Sequence, residues 1–492
     1  MLTFAILLPF AVAALLALTP VSPGVSRAIA IATAALSLLA MVAVWVGFTP
    51  GVGFQAVMEI TWIPALGVAW RVGVDGISLP LALMSGLLFV ASIAWPMERQ
   101  VNARQYYAWF LFLEGASLGL FLTLDLLVFY VFFDLSLVGM YFLIGRWGHG
   151  HAQRSALKFF LYTLAGSLLI LLAIIALVLV TDPLTFDMRT LIAMQPVAGM
   201  DLRAGLILLG FVIGFAIKTP LFPVHTWLPP AHVDAPGPVS AILAGVLLKM
   251  GVYGLVRIPL QMLRETFATY ALALAVVALI SILWGSIVAF AQENLKRRIA
   301  YTSVNHMGYA VLGIAVAGSA VVGQETARDL ALTGAVVEMV AHGLITGALF
   351  LIAGAFWART QEYDLAHYGG LAANAPQLMA VTGLASFASL GLPGLAGFVA
   401  EVHIFIGAFA VWPWIAALGL LGLIVTAALF LGMLQRLFFG ERPSVLDGFT
   451  DLTRTEVSIL AALLALVVLI GVWPTWLLDM IGASDTLSLG GG

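Results

Sequence analysis

The feature that most constrains this chain is a series of apolar runs, each about as long as a helix that crosses a membrane. A helix needs about 20 mostly apolar residues to span a hydrocarbon core of about 30 Å. Continuous runs of this kind occupy residues 2–20, 26–48, 76–96, 106–124, 125–146, 157–181, 239–259, 268–290, 299–319, 328–356, 414–438 and 456–478. Because they do not alternate polar and apolar residues, they favour helices over lipid-exposed strands.

Composition agrees with a protein embedded in lipid. The chain is 62% hydrophobic and only 9% charged, whereas soluble chains carry roughly a quarter charged residues. A water-soluble multidomain enzyme is therefore excluded. The net charge of −3 is spread out, which gives no basic face for nucleic acid. Residues 2–19 lack the Lys or Arg that opens a secretory signal, so we expect a first span that is retained.

Several kinds of chemistry are excluded as well. The chain has no cysteine, which rules out disulfides, a Cys nucleophile, Cys-ligated iron–sulfur clusters and thiolate zinc sites. It also has no phosphate-binding loop of the Walker type, no dinucleotide fingerprint and no credible hydrolase triad. We therefore expect no cofactor and no metal in this chain.

Two further apolar regions, 204–233 and 375–411, are interrupted by helix-breaking residues. Pro220 follows Lys218 in the first, and Pro393 lies among glycines in the second. Proline removes a backbone donor, and irregular backbone at membrane depth persists only when it is buried in protein or faces water. Counting each region as one broken helix predicts fourteen spans. Paired broken spans indicate a transport path.

The two interrupted regions also suggest an internal repeat. Pro220 and Pro393 are 173 residues apart, and Asp134 and His306, each inside a run, are 172 apart. This spacing predicts two five-helix repeats, spans 4–8 and 9–13. Because each repeat has an odd number of spans, the two repeats have opposite orientations in the membrane. The resulting division is 1–100 for helices 1–3, 101–260 for the first repeat (proton uptake), 261–440 for the second (proton release) and 441–492 for the last helix.

Lys and Arg indicate the orientation of the chain. Loops after odd-numbered runs hold most of these residues, as expected for loops that face the cytoplasm. Loops after even-numbered runs hold only Arg71, Arg189, Arg203, Arg264 and Arg328. We therefore expect both termini on the non-cytoplasmic side.

Eight ionisable residues fall inside the predicted spans, where each charge costs about 2.5–3.5 kcal/mol at a helix centre. They are Glu114, Asp134, Lys218, Lys249, His306, Glu338, His342 and Glu401. This cost favours a functional role, because leucine would serve packing better. A buried lysine whose charge depends on a nearby carboxylate can bind and release a proton.

Simpler interpretations exist for several of these residues. Lys218 and Lys249 can be boundary lysines whose ammonium groups extend to water. Glu338 and His342 share a helix face, which fits a local hydrogen bond, or a metal site if a third ligand exists. His306 is either a proton relay or a core histidine.

The residues beside the first break and at the span ends are open to two interpretations. His225, His232 and Asp234 either line a wet pocket or satisfy unwound backbone. Glu114 fits a lateral relay or a partner for another charge. Asp125, between two spans, is typical of a helix cap.

Five stretches resemble one known family. They are FAIKTPLFPVHTWLPPAH (215–232), ILAGVLLKMGVYGLVRI (242–258), RRIAYTSVNHMGYAVLGI (297–314), MVAHGLITGALFLIAG (339–354) and GLPGLAGFVAE (391–401). Together they resemble the antiporter-like subunits of respiratory complex I, most closely the chain M group of proton-pumping NADH:quinone oxidoreductase, over about residues 75–440.

The resemblance implies an all-α fold of fourteen helices with one proton pathway. It pairs Asp134 with the broken-helix lysine Lys218, and it assigns Lys249, His306 and His342 to later steps. Glu401 at the second break favours chain M over its sister chains, which usually have lysine there. NADH, FMN, iron–sulfur clusters and quinone are then expected in partner subunits, among them neighbouring antiporter-like subunits, in the bacterial inner (cytoplasmic) membrane.

Two residues depart from the family pattern. Asp134 stands where Glu is usual, which argues against direct contact with Lys218 and for a bridging water. Glu338 stands where a neutral residue such as Gln is expected, and it suggests an additional proton-binding site. A sodium/proton antiporter or membrane-bound hydrogenase subunit shares the motifs, and a stand-alone solute transporter is an alternative of another class.

Overall fold

The structure, a computed structural model, describes residues 1–97 and 101–482. Residues 98–100 and 483–492, at the ends of the predicted first and last segments, lie outside this description. Eighteen helices lie in the described part of the chain, and the prediction of a predominantly helical membrane protein is confirmed.

The helices of the first half begin at the N-terminus and continue past the first break to α10. Their bounds are α1 Leu2–Leu18, α2 Pro23–Val46, α3 Ser78–Ala94, α4 Ala103–Leu122, α5 Leu126–Trp147, α6 Ala152–Val178, α7 Met188–Met194, α8 Leu202–Lys218, α9 Leu228–Asp234 and α10 Gly237–Leu260.

The remaining helices follow α10 without a strand between them in the described residues. Their bounds are α11 Arg264–Phe290, α12 Leu295–Ala317, α13 Glu325–Thr360, α14 Pro376–Ser389, α15 Ala396–Val411, α16 Pro413–Phe438, α17 Arg454–Val472 and α18 Thr475–Gly482. Helices long and apolar enough to cross a membrane are α2, α5, α6, α10, α11, α13, α16 and α17. A helix, or a pair of helices, lies on every predicted run.

A β-hairpin between α2 and α3 was not predicted. Strand β1 (Gln55–Ile63) pairs antiparallel with β2 (Val68–Val74), and the turn between them ends at Gly67 with φ of 68°. Glycine adopts this left-handed conformation without a steric penalty. The hairpin places Arg71 against the start of α5, where its Nη1 donates to Asp125 Oδ2 at 2.6 Å.

Two helices form the centre of the molecule. The most apolar segments of α10 and α13 are completely buried, whereas those of α2, α16 and α17 are mostly exposed. Glycines let α10 approach α8 closely, because a Cβ at Gly254 would lie 2.2 Å from the Phe215 ring. The charged residues within these buried segments, among them Lys249 and Glu338, are therefore enclosed by protein.

Candidate functional site

The first break separates α8 from α9 and lies directly after Lys218. Residues 219–227 do not form a regular α-helix, and other groups take up the backbone hydrogen bonds. The Trp227 indole donates to the Ile217 carbonyl at 2.8 Å, and the Phe222 amide donates to Ser281 Oγ on α11 at 3.0 Å. A backbone that cannot reach water must find such partners.

Lys218 is buried, with 1% of its surface exposed, so its ammonium group does not extend to the protein surface. The group donates to Ser136 Oγ on α5 at 3.3 Å and lies 5.0 Å from the centroid of the Phe133 ring. Asp134 directly follows Phe133 on α5, and its Oδ1 has no hydrogen-bond partner among the described residues. The two charges are therefore neighbours without the direct contact that a glutamate would favour.

Lys249 lies in the fully buried helix α10, immediately after a π-turn over Leu243–Leu247. A π-turn disturbs the regular ladder, and its carbonyls are open to side-chain donors. The Lys249 ammonium donates to the Ala244 carbonyl at 2.6 Å and contacts Nδ1 of His342 on α13, also at 2.6 Å. An ammonium can only donate, so a charged Lys249 requires that Nδ1 of His342 carries no proton and accepts.

His306 on α12 links the central helices to the second break. Its Nδ1 lies 3.1 Å from Glu338 Oε1, and its Nε2 lies 3.2 Å from Ser389 Oγ. The ring centroid of His342 is 5.3 Å away. Glu338 thus pairs with His306 on the neighbouring helix. The local hydrogen bond to His342 on its own helix is not the contact that forms.

The second break separates α14 from α15 and begins one residue after Ser389. Gly391 has φ of 76° there, and a Cβ on it would lie only 2.0 Å from Glu401 Oε2. Glu401 is buried, and its other oxygen, Oε1, has no partner within the described part of the chain. The glutamate therefore folds back onto the break that Pro393 and its neighbouring glycines create.

The remaining predicted residues lie around this chain of contacts. Glu114 and His232 are fully buried, and none of their polar side-chain atoms is hydrogen-bonded within residues 1–97 and 101–482. His232 stacks on Phe350 at 4.4 Å. Asp234 instead accepts from Ser155 Oγ at 2.6 Å at the start of α6.

His225 and Asp125 have surroundings that differ from each other. The His225 ring lies between those of Phe222 and Tyr301, 5.9 and 6.1 Å away, next to the first break. Asp125 caps α5, as predicted, by accepting from the amides of Leu127 and Val128.

Two groups of functional interest were missed in the sequence. Asp75 and Arg257 form a completely buried ion pair, with Arg257 also donating to the Tyr253 hydroxyl at 3.0 Å. Arg257 lies inside a predicted span, so the search for charges within spans would have found it. Ser136 and Ser389, which contact Lys218 and His306, have no such signal, because serine is common in membrane helices.

No group of three His, Asp or Glu side chains suited to a metal ion occurs in the parts of the chain that the structure describes. The contacts instead join acids, bases and hydroxyls. Such a set can pass protons from one group to the next.

Comparisons with known proteins agree with this arrangement. Residues 123–431 match the family described as NADH:quinone oxidoreductase/Mrp antiporter, transmembrane. The chain belongs to this family. The resemblance noted in the sequence is thus confirmed.

Named relatives within the family cover most of the chain. NADH-quinone oxidoreductase subunit M of Rhodobacter capsulatus is 37% identical over 97% of this chain and 94% of its own length. NAD(P)H-quinone oxidoreductase chain 4 of Acaryochloris marina is 38% identical over 88% of this chain and 81% of its own.

Solved structures show the same fold. A chain of respiratory complex I from Thermus thermophilus with bound NADH matches with a TM-score of 0.88 and 34% identity over the whole of both chains. A chain of the Mrp complex from Dietzia sp. matches with a TM-score of 0.86 over 99% of this chain and 96% of its own, at 21% identity. The latter likeness is one of fold alone.

Proposed function

We propose that this chain is a proton-translocating membrane subunit of an NADH:quinone oxidoreductase. It works within a multisubunit membrane complex and couples electron transfer in partner subunits to proton transport. This chain contributes no cysteine ligand for a redox centre. NADH, FMN, iron–sulfur clusters and quinone belong to the partner subunits in this proposal.

The observation that carries the proposal is the chain of buried contacts between the centre and the second break. Lys249 contacts His342 at 2.6 Å, and His306 lies 3.1 Å from Glu338 and 3.2 Å from Ser389. Groups at these distances can exchange protons directly. Packing alone would not retain them, because each buried charge opposes insertion into the membrane.

Transfer in the first half depends on water. Lys218 is loaded near Asp134 and passes its proton through water to Lys249 and then to His306. Buried polar atoms normally have partners, so unpaired atoms such as Asp134 Oδ1 and His342 Nε2 indicate where water binds. Glu401 controls release, and Glu338 adds a proton-binding site beside His306. Glu114, His225, His232 and Asp234 are accessory to this route.

The energy required is modest. Moving one charge against the membrane field costs about 2.3 kcal/mol per 100 mV, and one unit of pKa corresponds to about 1.36 kcal/mol. Redox-driven changes that shift the pKa of a lysine by about two units are therefore sufficient to move one proton against a potential of about 100 mV. Moving Asp134 relative to Lys218 is the simplest such change.

The proposal includes a topology. Fourteen spans cross the bacterial inner membrane, and α8–α9 and α14–α15 each count as one broken span. Residues 101–260 and 261–440 form inverted five-helix repeats for proton uptake and release, flanked by 1–100 and 441–492. Both termini face the non-cytoplasmic side, and neighbouring antiporter-like subunits and lipid surround the chain.

A tagged version of the chain distinguishes this function from its alternatives. Mass spectrometry of the purified complex should identify NADH-oxidising partner subunits. Subunits of a sodium/proton antiporter or a hydrogenase would contradict the proposal. Solute transport by the purified chain alone would favour a stand-alone transporter.

Proton transfer itself is tested by Lys249→Met in the assembled complex. We expect NADH-driven acidification of inverted membrane vesicles to fall at least roughly tenfold, with the complex still intact in native electrophoresis. Arg154→Met is the control, because the Arg154 side chain is exposed near the start of α6. Unchanged acidification in Lys249→Met would refute the assignment.

A further inference from the structure

A groove between α8 and α11 joins an apolar channel to a pair of arginines. The channel has a volume of about 660 Å³ and is lined by residues such as Leu206, Val212 and Leu274. A second depression of about 600 Å³ contains Arg264, Arg328 and Ser319, and Met200 borders both. The two depressions are therefore adjacent.

The polar end has free hydrogen-bond donors. Arg264 Nε and Ser319 Oγ are buried atoms with no partner among the described residues, and Ser319 is only 2% exposed. Arg328 binds the Ala317 carbonyl through Nε at 2.9 Å. Its terminal nitrogens form no ion pair within the described parts of the chain. Two guanidinium groups and a hydroxyl are a typical set for an anionic phosphate.

One acidic group shares the depression. Glu265 lines it, but its Oε2 accepts from the Gly199 amide at 3.0 Å. Asp201 lines the apolar channel next to Met200, and its Oδ1 accepts from the Ala204 amide at 2.8 Å. Both carboxylates thus already have backbone donors, whereas Arg264 Nε and Ser319 Oγ have no partner among the described residues, which favours an anion.

The apolar end leads to the first break. Ala216 and Leu221, on either side of Lys218, line its inner part. Exposed leucines of α8, among them Leu206 and Leu209, form its open side. A hydrocarbon chain matches this surface, because the residues that line it are apolar apart from Asp201 and Tyr270.

We propose that this groove binds one anionic phospholipid. Its phosphate lies between Arg264 and Arg328, and one acyl chain occupies the channel up to Leu221. By contrast, the groove lined by Leu38, Leu87, Leu466 and Trp473 has no charged side chain among the described residues that line it, and it offers no site for a headgroup. The lipid supports α8 where the helix ends at Lys218.

Photocrosslinking tests the site in the assembled complex. The probe is phosphatidylglycerol with a diazirine at the end of one acyl chain, in vesicles of phosphatidylcholine. We expect labelling of peptides that contain Leu221 or Leu274. Arg264→Gln combined with Arg328→Gln should lower the affinity roughly thirtyfold, since each arginine contributes about fivefold.

A matched variant separates this site from general surface charge. Arg203 lies at the start of α8, next to residues that line the channel, but does not itself line the groove. Labelling should therefore persist in Arg203→Gln. An equal loss in Arg203→Gln, or equal labelling by a phosphatidylcholine probe, would overturn the proposal.

Filling the groove provides a second test that does not alter charge. A Cβ on Gly205 would lie 3.5 Å from the Tyr270 hydroxyl, an ordinary contact, so Gly205→Leu fits and blocks the channel. Gly432→Leu, on α16 with nothing within 4 Å of its Cβ position, is the control. We expect only Gly205→Leu to lose labelling. Retained labelling there, or complete displacement by inorganic phosphate, would mean that an anion alone is bound and would contradict the proposal.

Discussion

An ionisable residue lies beside each of the two helix breaks, but its surroundings differ between them. At the first break, Lys218 has one hydroxyl contact, Ser136, at 3.3 Å, and lies against the Phe133 ring. At the second break, Glu401 lies against Gly391, which follows closely after Ser389, and Ser389 contacts His306 at 3.2 Å. Direct contacts connect the second region, whereas the first must use water.

The breaks themselves differ for a physical reason. The first extends over residues 219–227 and needs the Trp227 indole and the Ser281 hydroxyl to satisfy its backbone. The second is shorter, and Gly391 and Gly394 turn the chain with φ of 76° and 90°. The short break keeps Glu401 close to the end of α14.

The strongest test of this difference removes one side chain from the series of direct contacts. His342→Phe removes the imidazole that contacts Lys249 at 2.6 Å and whose ring centroid lies 5.3 Å from that of His306. We expect NADH-driven vesicle acidification to fall at least roughly tenfold, because a general acid–base group contributes that much or more. His403→Phe is the control, since His403 Nδ1 bonds only to Val399 on its own helix. Equal effects of the two variants would contradict the role of His342.

A smaller effect is expected from Gly391→Ala. A left-handed conformation costs a residue with a Cβ about 1–2 kcal/mol, and the new methyl group would displace the Glu401 carboxylate. Turnover of the assembled complex should fall severalfold. Gly383→Ala on α14 has nothing within 4 Å of its Cβ position and should leave turnover unchanged. Normal turnover in Gly391→Ala would show that the position of Glu401 at the break is unimportant.

The smallest effect is expected from Ser136→Ala. The hydroxyl is the single hydrogen-bond partner of the Lys218 ammonium among the described residues. A water molecule can take its place where the region is wet. We expect acidification to stay within about twofold of the original protein, in contrast to His342→Phe. A loss as large as that of His342→Phe would show that the first region also depends on direct contacts.

Sequence reasoning located the charges but not their partners. Apolar runs and the residues Pro220 and Pro393 follow directly from composition along the chain. Pairing depends on which helices are neighbours and how each is rotated. Periodicity does not reveal this in a helix such as α13, which is buried on all sides. Glu338 therefore pairs with His306 on α12, although His342 is nearer in sequence.

The hairpin and the Asp75–Arg257 pair were missed for related reasons. The search used runs of about 20 residues, and strands β1 and β2 are only 9 and 7 residues long. Arg257 lies at the second π-turn of α10, near the end of a predicted span. The charges singled out within the predicted spans did not include it, and the structure places it beside Asp75 with no exposed surface.

The central claim is that protons cross through the buried charges at both breaks, and the most direct test is proton translocation by Asp134→Ala and Lys218→Ala in the purified, reconstituted complex. The account predicts that both variants assemble, as judged by native electrophoresis, and that turnover linked to pumping is abolished in each. Proton translocation at the original rate in either variant, with assembly intact, would contradict it.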